Sequence, residues 1–286
     1  MRIENTARLR FVGIFVSMLF IMVLNAQLIF AQARDNVWTR LKTDTYYMAD
    51  GFTHVMSSPV RWKKKNWLTF AGVAAGAVII SFVDQPFDDW AARNNNPDRR
   101  MRIEQFADVM GKPGPAVVVF SLLYGTGVAI DNEFLRDSGV IIFGSLASTA
   151  LIQTLSKSIT GRARPSAGLG NDVFKPFNGE PAFHSFPSGH MVSALTITSV
   201  IAQRIESKPI KIALYTLGTA TGLARVYNRA HWLSDILVSG AMSYFAVKTV
   251  NDRYKNKKEG IKLRQRNVSS VKFVPHFRGF SLSVQF

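Results

Sequence analysis

Three runs with no charged residue, Trp67–Val83, Gly114–Ile130 and Ser138–Leu155, most constrain what this chain can fold into. Each is 17 or 18 residues long. Strands usually stop at about five or six residues. A helix of this length rises about 27 Å, close to the roughly 30 Å of a bilayer's hydrocarbon core. The runs therefore predict helices, not strands. Helical patterning resumes at Ser188–Ile205, Pro209–Val226 and Trp232–Val250, with Lys208-Pro209 marking a turn. The short link Asp131–Asp137 predicts that the helices on either side pack antiparallel. Between the first two runs the chain reads as a polar loop, broken at Asn94-Asn95-Asn96-Pro97 and at Lys112-Pro113-Gly114-Pro115. The expected class is all-α, a bundle of about six core helices over residues 67–250, embedded in or associated with a membrane.

The ends differ from this core. Arg2, Arg8 and Arg10 precede a largely apolar run from Phe11 to Phe30, then Ala31-Gln32-Ala33. A basic start, an apolar middle and a small-x-small end describe a signal peptide over residues 1–33, or an uncleaved anchor. Residues 34–66 read as an amphipathic and loop lead-in, and residues 251–286 as a basic, then strand-like tail. Phe273, Phe277, Phe280, Leu282, Val284 and Phe286 lie in a polar-alternating pattern, so the tail predicts an isolated strand or extended segment.

The net charge of +16 raises the question of nucleic acid. The basic residues are not interleaved with stacking aromatics, which argues against it. They gather at Arg61–Lys65 and Lys248–Lys272, flanking apolar segments, as cytoplasmic anchors or contacts to anionic lipid do. A solvated tail is the plainer alternative for the second cluster. Cysteine is absent from the sequence, which excludes disulfides and thiolate metal sites. Of the five histidines, His54, His184, His190, His231 and His276, no two form a His-Glu-x-x-His pattern. No metal and no cofactor is expected.

Three short stretches carry the chemistry. The first runs from Lys157 to Arg164-Pro165, the second is Pro187-Ser188-Gly189-His190, and the third runs from Arg225 through His231 to Asp235. A phosphoryl group in transfer spreads charge over its nonbridging oxygens, so catalysis is mostly positioning and electrostatic stabilisation. Arg164 and Arg225 offer planar guanidinium forks for those oxygens, and Lys157 adds a point charge. Ser188 suits the N-cap of a helix whose free N–H groups bind anions, and Gly189 permits close backbone approach. His190 falls in the first turn, placed to protonate a leaving oxygen. His231 and Asp235 are four residues apart, so Asp235 can accept from one imidazole nitrogen and leave the other free to attack phosphorus. His184 reads as a loop or rim residue. Each stretch alone is also compatible with a capped helix or a solvated charge.

Together the three stretches resemble the type 2 phosphatidic acid phosphatase superfamily, whose signature is Lys-x6-Arg-Pro, then Pro-Ser-Gly-His, then Ser-Arg-x5-His-x3-Asp. The first two segments are intact; in the third, Ala224 stands where the signature has serine. The resemblance spans Lys157–Asp235 in the correct order and extends to the helix layout over residues 67–250. It implies that His231 forms a phosphohistidine and that His190 protonates the leaving group, then activates water. Lys157, Arg164 and Arg225 would hold the phosphate, with Ser188 and Gly189 contributing. Ala224 removes a hydroxyl hydrogen bond, worth about 1 kcal/mol; Asn228 is a nearby polar side chain that could compensate.

The superfamily also contains soluble exported acid phosphatases and vanadium haloperoxidases. The compact spacing between motifs disfavours a haloperoxidase. The resulting expectation is a metal-independent phosphatase of the bacterial envelope, in the inner membrane with its site facing the periplasm. Its substrate would be a lipid phosphate or diphosphate such as phosphatidate, phosphatidylglycerophosphate, polyprenyl diphosphate or a lipid A phosphate. The alternatives are a soluble exported acid phosphatase for small esters and a non-catalytic envelope protein that binds phospholipid. Positive-inside bias places Arg61–Lys65, Arg204–Lys211 and the basic tail in the cytoplasm and the motif loops outside. A cleaved leader followed by three spans would put the motifs inside, as would an uncleaved anchor. One apolar segment must then fail to cross, or the bundle must be an exported globular protein.

Overall fold

The structure is a computed structural model that describes residues 34–94, 96–268, 271–276 and 279–284. The leader over residues 1–33 lies outside the described residues. Nine α-helices are present among those described: α1 (Arg34–Met56), α2 (Lys64–Ser81), α3 (Asp84–Arg93), α4 (Pro97–Gly111), α5 (Pro113–Ala129), α6 (Glu133–Thr160), α7 (Gly189–Arg204), α8 (Lys208–Tyr227) and α9 (Leu233–Val268). The all-α class is as expected, and the six anticipated core helices correspond to α2, α5, α6, α7, α8 and α9.

Residues 84–111 differ from the expected polar loop: they form α3 and α4. The breakers end and start helices here instead of unwinding them. The Asn96 side chain accepts from the Arg99 N–H at 2.9 Å, and Pro97 takes the first helical position, where its missing N–H costs nothing. Asn132 caps α6 in the same way, accepting from the Leu135 N–H at 3.0 Å. α9 runs without interruption through Val250, so the basic segment that follows is the end of the last core helix. The tail forms two strands, β1 (Val271–His276) and β2 (Gly279–Val284), paired antiparallel with Val271 opposite Val284. A strand paired within the tail replaces the expected isolated one.

The bundle has two chemically distinct ends. At one end, Asp84 of α3 reaches Ser234 of α9, Glu104 of α4 reaches Arg225 of α8, and Asp108 of α4 reaches His190 of α7. At the other end, Lys258 of α9 pairs with Asp137 of α6 at 2.7 Å, and Arg253 and Lys257 pair with Asp50 of α1. Arg40 of α1 there meets Asp131, between α5 and α6. The apolar core lies between these ends, with Ile141, Ile142, Val200 and Val247 fully buried at its centre.

The outer surface is unusually apolar. α2 has no buried residue, yet it exposes Trp67, Leu68, Phe70, Val78 and Ile79. A helix apolar all round and unburied in its own chain requires an apolar solvent or a partner. Among the described residues one helix, α6, can cross a membrane by length and composition; the count rises to three if the bent pairs α2–α3 and α4–α5 each form one span.

Gly161 turns the chain at the end of α6. It adopts φ +54°, and a Cβ there would lie 1.8 Å from the Lys175 carbonyl oxygen. Gly161→Ala combines left-handed strain with a backbone collision, so a loss of at least about 2 kcal/mol is expected, read as a lowered melting temperature.

Candidate active site

The end of the bundle closed by α3 and α4 gathers all three motif stretches. Lys157 stands in the last turn of α6. After Gly161 the chain runs extended, with Arg162 bridged to Phe174 and the Ala163 N–H donating to the Val173 carbonyl at 2.9 Å. Along this stretch Arg162 and Arg164 have different fates. Arg162 is buried and fully engaged, whereas the Nε of Arg164 is buried with no hydrogen-bond partner.

Ser188 caps α7, and its own N–H donates to the Ser239 hydroxyl at 2.8 Å. Gly189 lies beneath Gln153 of α6; a Cβ there would come 2.8 Å from the Gln153 Nε2. His190 is half-buried, and its Nε2 contacts Asp108 Oδ1 at 3.0 Å.

α8 delivers Arg225 in its last turn. Its Nη1 donates to Glu104 Oε1 at 2.9 Å, while its buried Nε has no partner. Ala224, in place of the signature serine, is buried beside it. Asn228 follows, donating to Glu104 Oε2 at 3.2 Å, with its buried Oδ1 unpaired. His184 makes a local loop contact, Nε2 to the Asn178 carbonyl at 3.0 Å.

His231 is 2% exposed, with Nδ1 2.5 Å from the Ser185 carbonyl oxygen. A carbonyl only accepts, so Nδ1 carries the hydrogen and Nε2 keeps its lone pair. The expected direct bond from Asp235 is absent: its Oδ2 lies 3.8 Å from Nδ1. Asp235 instead accepts from the Ser185 hydroxyl at 2.6 Å, the Trp232 N–H at 2.9 Å and Arg162 Nη1 at 2.5 Å. The physical reason is helix geometry. Asp235 sits in the first turn of α9, where its carboxylate satisfies the free Trp232 N–H, and the Ser185 peptide fills the space beside the imidazole.

Lys157, Arg164 and Arg225 lie within one another's field. Burial first, then the like charge of Arg225, lowers the Arg164 guanidinium from its ordinary value. Burial likewise lowers the His231 imidazole to about 4; Asp235 opposes the shift, and Lys157 and Arg164 reinforce it. Three gathered cations, two of them with unpaired buried N–H groups, suit a multiply charged anion. A neutral imidazole beside that anion can act as a nucleophile, and a second imidazole can exchange a proton. Among the described residues no group of three or more His, Asp or Glu could hold a metal ion.

Several residues of the site were not singled out from the sequence: Arg162, Ser185, Ser234, Asp84, Asp88, Arg229, Glu104 and Asp108. A usable signal existed for two of them. Asp84 and Asp88 are four apart in a segment that also holds Phe87 and Trp90, which is amphipathic helix spacing.

This helical bundle is a phosphate monoester hydrolase. Residues 138–258 match the model of the PAP2 superfamily. A lipid A 1-phosphatase of Rhizobium etli is 24% identical over 193 residues, covering 63% of this chain and 79% of the relative. A lipid A 1-phosphatase of Rhizobium johnstonii is 31% identical over 114 residues, covering 39% and 46% respectively. Among solved structures, LpxE of Aquifex aeolicus overlaps 59% of this chain and 95% of its own, at 19% identity and TM-score 0.46. A PAP2-type phosphatidylglycerolphosphate phosphatase of Bacillus subtilis overlaps 65% and 94%, at 20% identity and TM-score 0.48.

The His231 shift sets a pH dependence. Its folded value, about 4, lies below the ordinary 6.5, so the folded protein favours the neutral form. Between those values the unfolded chain binds the extra proton, so stability falls as pH drops from about 6.5 towards 4. Melting temperatures across that window should show the decline, and His231→Gln should flatten it.

Proposed function

We propose that this phosphatase removes a phosphate monoester from a membrane lipid through a phosphohistidine on His231, with the 1-phosphate of lipid A as the favoured substrate. The observation that carries this reading is that Lys157 and Arg164 lie in the field of the buried His231 imidazole, while Arg225 lies in the field of Arg164 and of His190. The named relatives support the lipid class, and the exposed apolar helices support access from a bilayer.

In the first step the Nε2 lone pair of His231 forms a bond to phosphorus, and the bond to the leaving oxygen breaks. That oxygen takes a proton from His190. The positive charge developing on the His231 ring is met by the Ser185 carbonyl and by Asp235 behind it. In the second step water attacks phosphorus and gives its proton to His190, the P–N bond breaks, and inorganic phosphate leaves. Lys157, Arg164 and Arg225 hold the nonbridging oxygens throughout, with the Ser188 hydroxyl and the Gly189 N–H closing the cradle.

Orientation follows from the two ends. Arg61, Lys63, Lys64, Lys65, Arg204, Lys208, Lys211 and the basic end of α9 fall at the helix ends opposite those that carry or lead to the motif residues. Positive-inside bias assigns that end to the cytoplasm and the site to the periplasm. In this reading α2, α5 and α6 cross in alternation, with α3 and α4 lying across the periplasmic end. This orientation keeps residues 34–63 inside and is incompatible with their export behind a cleaved leader.

His231→Ala should lower phosphate release from lipid A by at least about a thousandfold. EDTA should leave wild-type activity unchanged; activity abolished by EDTA and restored by a divalent ion would contradict the mechanism. A cysteine placed in the 165–187 loop should react with an impermeant thiol reagent in intact spheroplasts, and labelling only after lysis would reverse the orientation.

A further inference from the structure

The three signature stretches come from separate parts of the chain, and something must fix their relative positions to fractions of an ångström. Part of the answer lies outside the family-matched region, in the ten-residue helix α3. Two of its carboxylates, Asp84 and Asp88, are one turn apart and buried. Each holds one arginine, and each arginine lies two residues before a signature residue: Arg162 before Arg164, and Arg229 before His231.

The contacts are specific. Arg162 Nη2 donates to Asp84 Oδ2 at 2.8 Å, and Arg162 Nη1 donates to Asp235 Oδ1 at 2.5 Å. Asp84 also accepts from the Ser234 N–H at 2.9 Å and the Ser234 hydroxyl at 2.5 Å. The Ser185 N–H donates to the Arg162 carbonyl at 3.1 Å, so Arg162 is tied to the peptide that orients His231. Asp88 takes Arg229 in a two-pronged bond, Nε at 2.7 Å and Nη2 at 2.8 Å. Arg229 Nη2 also donates to the Pro165 carbonyl at 3.2 Å, and the Ser166 N–H donates to the Arg229 carbonyl at 2.9 Å. Arg229 adopts φ +57°, the left-handed conformation, in the turn between Arg225 and His231. Fork geometry fixes both direction and distance, which a single hydrogen bond does not.

We infer that α3 is a positioning clamp: Asp84 and Asp88 set the distance between the first and third signature stretches, and hence between the phosphate held by Arg164 and the attacking nitrogen of His231. Neither carboxylate touches substrate. Both act through arginines that are themselves outside the phosphate cradle. The inference rests on the nucleophilic role given to His231 above.

The clamp predicts a particular defect. A phosphate ion tolerates small shifts between its cations and the imidazole. A five-coordinate species that must bond or nearly bond to His231 Nε2 does not. The test uses the full chain in detergent and calorimetric binding of inorganic phosphate and orthovanadate, so it does not depend on the identity of the lipid. Asp84→Asn and Asp88→Asn should each weaken orthovanadate at least tenfold while changing phosphate affinity less than threefold. The exchange Asp88→Arg with Arg229→Asp should recover part of the loss. His231→Ala is measured alongside. If it binds orthovanadate like the wild type, the nucleophile assignment fails. If it loses orthovanadate while both folded Asn variants keep wild-type affinity for it, the clamp alone is overturned. If neither Asn variant folds, α3 is a folding element and the positioning role is likewise overturned.

Discussion

Arg162 is buried between two carboxylates, Asp84 and Asp235, and the rest of the site depends on that arrangement. An unpaired charge would be costly there, and so would either carboxylate without the arginine. The guanidinium also donates to the Asn171 carbonyl through Nε and Nη2, and lies over the rings of Trp232 and Phe174. Through this one side chain the loop after α6, the start of α9 and α3 are joined. The Ser185 carbonyl, and with it the His231 tautomer, follows from that junction.

The neighbouring cations contrast with Arg162. Arg164 and Arg225 have buried Nε atoms without partners. A buried guanidinium N–H without a partner is an unfavourable feature, tolerated where a ligand completes it. Two arginines two residues apart thus differ: Arg162 is satisfied by the protein, and Arg164 keeps an unpaired Nε, as the proposed phosphate contact requires. Arg225 is intermediate, bonded through Nη1 to Glu104 and unpaired at Nε.

Much of this was legible in the sequence, because it is encoded locally. Charge-free runs report helices, Ser188 reports a cap, and Arg225 and His231 fall at the helix ends that their sequence positions suggest. The segment 84–111 reads as loop because Asn and Pro commonly break helices, whereas here Asn96 and Pro97 together start one. The direct Asp235–His231 bond was misplaced for a different reason. Helical spacing puts the two on one face, but it cannot show a backbone carbonyl arriving from residue 185 and taking the imidazole hydrogen. Likewise, no local pattern pairs Asp84 with Arg162 or Asp88 with Arg229; those partners are 78 and 141 residues apart. Long-range ion pairs are a product of topology, which brings α3 against the start of α9 and the loop after α6.

The central claim is that the imidazole of residue 231 becomes covalently phosphorylated in turnover. Rapid quenching into alkali, where a phosphoramidate survives, followed by peptide mass spectrometry reads this directly. The account requires a phosphoryl adduct on the peptide carrying His231, formed with substrate and discharged when substrate is exhausted. An enzyme that turns over with no such adduct, or that carries it on another residue, contradicts the account.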